Sequence, residues 1–587
     1  MRRSIILSFL CIVALSSSAQ QAPQPSAPYG ETIEVRIMNV DVVVTDRSGR
    51  AVGGLTKDDF ELFDNEQKVD IANFFAANEL EAGLQTPEAR QQLAVQATPQ
   101  ARRHFVVFLD NTTIEPSHRR QVMPQLRAFI DKSMRPGDDI MIAEWNNSLS
   151  IPVQLTPDKA AALAAIDKFS AEAMRGMNQR AQLERAKREI RDTIVDGSLK
   201  GHMFEDGPTP GNHGNKTTDP DLNAQAKPPS NVSLQRPLGI ARTFAEDVMM
   251  QMRTKSGALK SVVEPLSPLE GKKVVIFLTE SFSAAPAREM FEFLDSIKER
   301  FVGGGEGSTL RTEAQRYQDS PFMEEVATAA NLAGASLYPI STRGSEAPNF
   351  VDATLDGPVS TDAPPPILTN SKASEQVLQD LATATGGVAI INTSNFASGF
   401  DSLASDLSHY YSLGYKATGD PTAVHRISVR LRKGGGYMVR TREAYVHKAS
   451  GTQMEQAVTT NLTYPVRKND LRIAVTADAA KQGPLAERMI VPVEIRIPTE
   501  ALTLVPDGTD LTGHFSIYAA FFRKDGAVSP VSKQEQSVRF PAESLKRRKE
   551  ITVKLAMEMD RTTETMSIGV IDETSQTSGF ASVPLAR

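Results

Sequence analysis

Apolar strands alternating with amphipathic helices predict an α/β fold: a doubly wound, mainly parallel sheet flanked by small β-rich domains. Three observations lead there. His104 to Leu109, Lys272 to Leu278 and Ala335 to Ile340 are continuous apolar runs separated by helical segments, the pattern of parallel strands covered on both faces. Before them, Val35, Ile37, Val40, Val42 and Val44 form a strand-like run, and after Tyr410 alternation with period two continues to the end.

Taken in order, Arg2 and Arg3, the apolar run Ile5 to Leu15 and the small residues Ser16 to Ala19 predict a signal peptide over 1–19, cut between Ala19 and Gln20. The alternative is an uncleaved anchor, but about 11 apolar residues fall short of the roughly 20 that a bilayer requires. Residues 20–31 are Pro- and Gln-rich and predict a disordered lead. An N-terminal β-rich domain is expected over 32–78, with a turn at Asp46 to Gly49 and a helical turn capped by Thr56. A polar linker, 79–102, follows.

The α/β domain is expected over 103–416. Helices are predicted at 117–133, 157–193, 285–301, 311–333, 373–385 and 396–408, and strands at 104–109, 139–145, 272–278, 335–340 and 387–391, with 149–155 pairing back on the second. Residues 196–236 and 343–371, rich in Gly, Pro, Asn and Asp, are expected as surface insertions. A β-hairpin extension over 417–449 turns at Lys433 to Gly436, and 450–587, with its short alternating strands, reads as a C-terminal β-sandwich.

Composition excludes several classes. Cys11 is the single cysteine of 587 residues and lies in the signal region, so disulfides and cysteine metal sites are not expected. Phe9 and Leu10 before it do not suit a lipobox. With 23% charged residues and a net charge of −6, a nucleic-acid partner is not expected, and no later segment is apolar enough to span a membrane.

Three stretches carry a family resemblance: Asn39 to Phe63 (NVDVVVTDRSGRAVGGLTKDDFELF); FVVFLD, VVIFLTES and ASLYPISTRG; and LATATGG through YYSLGY to the R-x-x-YV element at Arg442 to Val446. With them the chain resembles von Willebrand factor A-like (VWA) proteins of a bacterial type common in Acidobacteria. The resemblance spans most of 32–447, and it implies a doubly wound VWA sheet whose ligands sit beyond the carboxyl strand ends, where Asp110 falls.

Metal-binding VWA domains use a D-x-S-x-S loop, a distant Thr and a later Asp to hold an Mg²⁺-like ion. Here Asp110 and Thr112 match, Ile114 replaces the third oxygen, Glu280 replaces the Asp, and no distant Thr can be placed. A degenerate site is the result. If a divalent cation such as Mg²⁺ binds, Asp110, Thr112 and Glu280 carry it, with Asn111 and Thr113 as candidate partner-binding residues; the favoured alternative is that Asp110 caps the sheet end by bonding amides of the next turn.

No G-x-S-x-G elbow, H-E-x-x-H or P-loop occurs, and no two histidines have zinc-ligand spacing. Gly386-Gly387 reads as a tight turn rather than a phosphate cradle. The charged helix near Arg175 to Arg191 reads as a solvated face, and Tyr410, Tyr411 and Tyr415 as packing residues. The expected function is therefore an exported, non-catalytic protein-interaction or adhesion module, periplasmic, cell-surface or secreted, with an unidentified protein partner. The rival readings are a scaffold for an envelope complex and a hydrolase with an unrecognised site.

Overall fold

The computed structural model describes residues 36–77, 102–171, 179–205, 234–280, 288–301, 307–317, 321–344, 366–417, 424–446, 449–464, 466, 468–545 and 549–585. The expected signal peptide, the disordered lead, the linker up to residue 101 and most of both insertions lie outside them.

The described chain opens with strands β1 (Arg36–Thr45), β2 (Phe60–Asp64), β3 (Gln67–Val69) and β4 (Ile71–Ala76). Before β2, Thr56 and Asp59 form a reciprocal capping box, with Thr56 N donating to Asp59 Oδ2 at 2.9 Å. The alternating series then runs β5 (Arg103–Asp110), α1 (Pro116–Ser133), β6 (Asp139–Trp145), β7 (Leu149–Thr156), α2 (Lys159–Ala171), α3 (Gln179–Glu205), α4 (Gln235–Val263), β8 (Lys272–Thr279), α5 (Arg288–Phe301), α6 (Gly307–Gln315), α7 (Phe322–Ala333), β9 (Ala335–Ser341), α8 (Pro366–Ala384) and α9 (Phe396–Ser408).

Its five strands form one sheet in the order β7-β6-β5-β8-β9. β6, β5, β8 and β9 are parallel, and β7 pairs antiparallel at the edge. Strand alternation sends Phe105, Val107 and Leu109 to one face, against α1, α2 and α9, while Val106 and Phe108 pack on the other against α4, α7 and α8. Both faces are thus covered, which is why β5, β8 and β9 are buried along their whole length.

Several expectations need correction. The helix expected over 157–193 is two helices, α2 and α3, and α3 runs on to Glu205 into the expected 196–236 insertion. Buried Ile190 and Ile194 hold α3, whereas the polar composition beyond 196 disguises its continuation. Gln235–Val263 forms a 29-residue helix that no expectation above covers. The helix expected over 311–333 is α6 and α7, and α8 begins at Pro366, inside the expected 343–371 insertion. The strand expected over 387–391 is a single parallel bridge, Ile340 to Ile390.

The remaining strands redistribute the flanking domains. β10 (Tyr410–Ala417), β11 (Val424–Leu431), β12 (Met438–Thr441) and β13 (Ala444–Val446) pair with the first four strands, giving two sheets of order β12-β1-β10-β4 and β13-β11-β2-β3. Residues 36–77 therefore share one core with 410–446: Val40, Val42, Phe60 and Leu62 pack with Tyr411, Leu413, Tyr415 and Ile427. The expected 32–78 domain and 417–449 hairpin are two parts of one β-unit, interrupted by the α/β domain. Local patterning shows strands but cannot show which distant strand completes a sheet.

The C-terminal part begins with a helix, α10 (Ser450–Thr460), and continues through β14 (Ala474–Ala477), β15 (Lys481–Gln482), β16 (Arg488–Pro498), β17 (Val505–Asp507), β18 (Asp510–Arg523), β19 (Ser532–Pro541), β20 (Glu550–Asp560), β21 (Thr563–Asp572) and β22 (Ser578–Pro584). Two antiparallel sheets, one around β16 and one around β18, enclose Val493, Ile495, Phe515, Ile517 and Ile568. Met454 and Val458 of α10 pack in the same cluster as Met141, Leu266 and Phe580, and the Tyr464 hydroxyl lies 3.3 Å from Met141 Sδ. This sandwich is fastened to one face of the α/β sheet. Among the described residues, no helix is long and apolar enough to cross a membrane.

Candidate functional site: the carboxyl rim of the sheet

β5 and β8 are the neighbours at which the winding direction of the sheet reverses, and in open α/β sheets ligands bind beyond the carboxyl strand ends at such a reversal. β5 ends on Asp110 and β8 on Thr279, followed by Glu280. A third contributor is the long helix α4. Its first half packs Ala241 and Ala245 against α3 and α5, and its second half lays Val248, Met252, Leu259 and Val262 on the sheet. Lys255 projects from that second half into the rim.

Asp110 is 0% exposed and Lys255 3% exposed. Lys255 Nζ donates to Asp110 Oδ2 at 2.8 Å, and the Thr113 and Thr279 hydroxyls donate to the same oxygen, each at 2.8 Å. Asp110 Oδ1 accepts from Thr112 N at 3.1 Å and from Thr112 Oγ1 at 2.5 Å. Burial pushes the Asp110 carboxyl up, but the Lys255 charge and hydrogen bond, with the Thr112 and Thr113 hydroxyls, outweigh it and hold the group below its ordinary value. The carboxylate is ionised, paired and saturated: five donors meet the roughly four lone-pair sites it offers.

Glu280 is likewise engaged. Its Oε1 accepts from Glu115 N at 2.7 Å and from Thr342 Oγ1 at 3.3 Å, and His118 Nδ1 lies 2.7 Å away. Asn111 and Thr113 are buried rather than presented to a partner. Asn111 N bonds Trp145 O at 2.8 Å, its side-chain oxygen accepts from Arg119, and the Arg119 guanidinium stacks on Phe169 at 4.4 Å from the ring centre. Ile114, where a third oxygen ligand would stand, is buried in the apolar core beneath.

The rim thus brings Asp110, Thr112 and Glu280 into one neighbourhood, but these residues do not fit a divalent cation. A hard cation wants about six oxygen ligands; here an ammonium occupies the carboxylate, one ligand position is apolar, and Glu280 serves a backbone amide and an imidazole. Among the described residues, no group of three or more His, Cys, Asp or Glu is placed to hold a metal ion. What the rim exposes is the start of the following loop and helix: Thr112 and Glu115 are half-buried, and Pro116, Ser117 and Arg120 are exposed.

Lys255, Thr279, Thr342 and His118 complete the network without a motif to announce them. Lys255 does leave a trace, since it is a cation on the apolar stripe Val248, Met252, Leu259, Val262.

Comparison with known proteins gives little further constraint. No family model matches the chain, and no curated protein matches it in sequence. Among solved structures, similarity is found to an aerotolerance-related membrane protein from Bacteroides fragilis, at 8% identity, covering 52% of this chain and 98% of that one, with a TM-score of 0.22. BatB from Bacteroides thetaiotaomicron is similar at 11% identity, covering 52% and 97%, with a TM-score of 0.21. The three N-terminal domains of the type V pili tip protein Mfa5 from Porphyromonas gingivalis are similar at 8% identity, covering 82% and 70%, with a TM-score of 0.21. At such TM-scores the likeness decides neither fold nor function, and the chain stands as a mixed α/β protein with one largely parallel sheet and several antiparallel ones.

Proposed function

We propose that this chain is an exported, VWA-like protein-interaction module that acts without catalysis and engages its partner at the carboxyl rim of the α/β sheet. One observation carries the reading: the sheet reverses its winding between β5 and β8, and there the loop leaving β5 leaves Thr112 and Glu115 half-buried while the first turn of α1 exposes Pro116 and Ser117. The basic, apolar and small-residue order of Met1 to Ala19 supports export. The flanking β-units brace the module, since each is packed against the α/β part.

Proximity labelling in the native host tests this with the full chain, comparing wild type with Ser117→Arg and Thr112→Arg. Loss of the same envelope or extracellular neighbours in both variants, with folding intact, supports the rim. An unchanged set of neighbours refutes it. Reproducible turnover in a broad hydrolase screen, abolished by one substitution, would refute the non-catalytic part.

A further inference from the structure

We infer that Lys255 is a tethered counter-ion: its ammonium takes the place that a divalent cation takes in metal-binding VWA domains, neutralising the Asp110 carboxylate without a metal. This concerns the charge balance of the rim alone and stands whether or not a partner binds there.

Two independent sets of contacts lead to it. The first is the pair itself, Lys255 Nζ to Asp110 Oδ2 at 2.8 Å, with both side chains buried. A carboxylate this deep requires a positive charge or strong donors, because an unpaired ion in a low-dielectric interior is severely penalised. The amine comes from the second half of a helix about 43 Å long, fixed in both halves by apolar packing, so the cation is delivered by the fold and cannot diffuse away. The second set lies on the other residues that a metal would require. Ile114 faces the core, and Glu280 Oε1 is committed to Glu115 N, Thr342 Oγ1 and the His118 ring. Ligand loss and cation gain are complementary: the residues that would complete a coordination sphere are apolar or otherwise bonded, and the one remaining carboxylate is neutralised from within.

Consequently, a partner's carboxylate finds no open coordination position here, and any recognition at this rim falls to Thr112, Glu115, Pro116 and Ser117. Divalent cations are expected to have no influence on the rim's structure.

Thermal unfolding of the mature chain tests the assignment. In wild type, the midpoint in 5 mM MgCl₂ or MnCl₂ matches that in EDTA; a metal-induced rise that Asp110→Asn abolishes would overturn the inference. At neutral pH, Lys255→Met lowers the midpoint by several degrees, and adding Asp110→Asn to it recovers at least half of the loss, because the abandoned charge is gone. In Lys255→Ala, methylammonium or ethylammonium raises the midpoint, and this rise disappears when Asp110→Asn is added. A Lys255→Met midpoint equal to wild type overturns the proposal. Should that single variant not fold, recovery of folding in the double variant supports the pairing, and a double variant equally unfolded counts against it.

Discussion

Individual side chains in this protein carry charge into places where charge is costly, and the fold compensates each time with a partner from a distant part of the chain. Asp110 is paired by Lys255, and Asp41 by Lys272 at 3.1 Å with Arg442 close by. In both, burial raises the carboxyl, and the neighbouring cations together with hydroxyl hydrogen bonds (Thr112 and Thr113 at Asp110, Ser412 at Asp41) more than cancel it, so both lie below the ordinary value of 3.8. The sign of the pH dependence follows. A depressed carboxyl contributes stability that is complete above its unfolded pKa and drains as pH falls below it, since the unfolded chain binds protons first. Thermal midpoints should therefore decline as pH drops below about 4, and Asp110→Asn and Asp41→Asn should each flatten that decline. Lys255→Met leaves the buried Asp110 carboxylate with neutral donors only: its penalty should be greatest near neutral pH, where the carboxylate is charged, and shrink on acidification. Lys272→Met leaves Asp41 without its nearest cation and should cost roughly 3–5 kcal/mol by denaturant unfolding.

Secondary-structure elements show where periodicity suffices and where it does not. Helix α9 is expected at 396–408 and found at Phe396–Ser408, because Asn395 accepts from Ser398 N at 3.3 Å and Phe396, Phe400, Leu403 and Leu407 form one apolar stripe. Asn395→Ala should destabilise by about 1 kcal/mol, read from the urea midpoint at constant m-value. Gly386-Gly387 is a packing device. Gly386 has φ +74°, and a Cβ on Gly387 would stand 1.9 Å from the Leu337 carbonyl oxygen. That approach holds the segment against β9 while leaving only Ile390 to bridge, so a strand pattern yields one bridge. Gly387→Ala should cost about 1–3 kcal/mol or more by the same measurement, as overpacked interiors do. Helix α4 escapes sequence reading for a different reason: its stripe serves two cores in succession, and one of its apolar positions holds Lys255.

On the scale of the whole molecule, the β-unit formed by 36–77 and 410–446 encloses the α/β domain within its own connectivity. β1 lies between β10 and β12, so neither segment can bury its apolar face alone. Expressed separately, 32–78 should show no strand signal by circular dichroism, and deletion of 424–446 from the full chain should expose β1 and β2 to hydrogen exchange while β5 and β8 stay protected. The C-terminal sandwich depends on α10 as its fastening. Val458→Asp places a charge beside Phe580 and Tyr518, and limited proteolysis should then cut near residues 447–469 before the α/β sheet is attacked.

The sequence by itself determined the existence and kind of most elements: the buried strands at 104–109, 272–278 and 335–340, the flanking β character and the position of Asp110 at a strand end. These follow from local hydrophobic periodicity and turn chemistry, which act over a few residues. Tertiary structure alone decided which strands complete the first β-unit and that α10 joins the sandwich to the sheet. It also decided that Asp110 faces an ammonium carried from 145 positions away. Pairing and charge compensation depend on which surfaces meet once the chain has closed on itself, and spacing along the sequence holds no record of that.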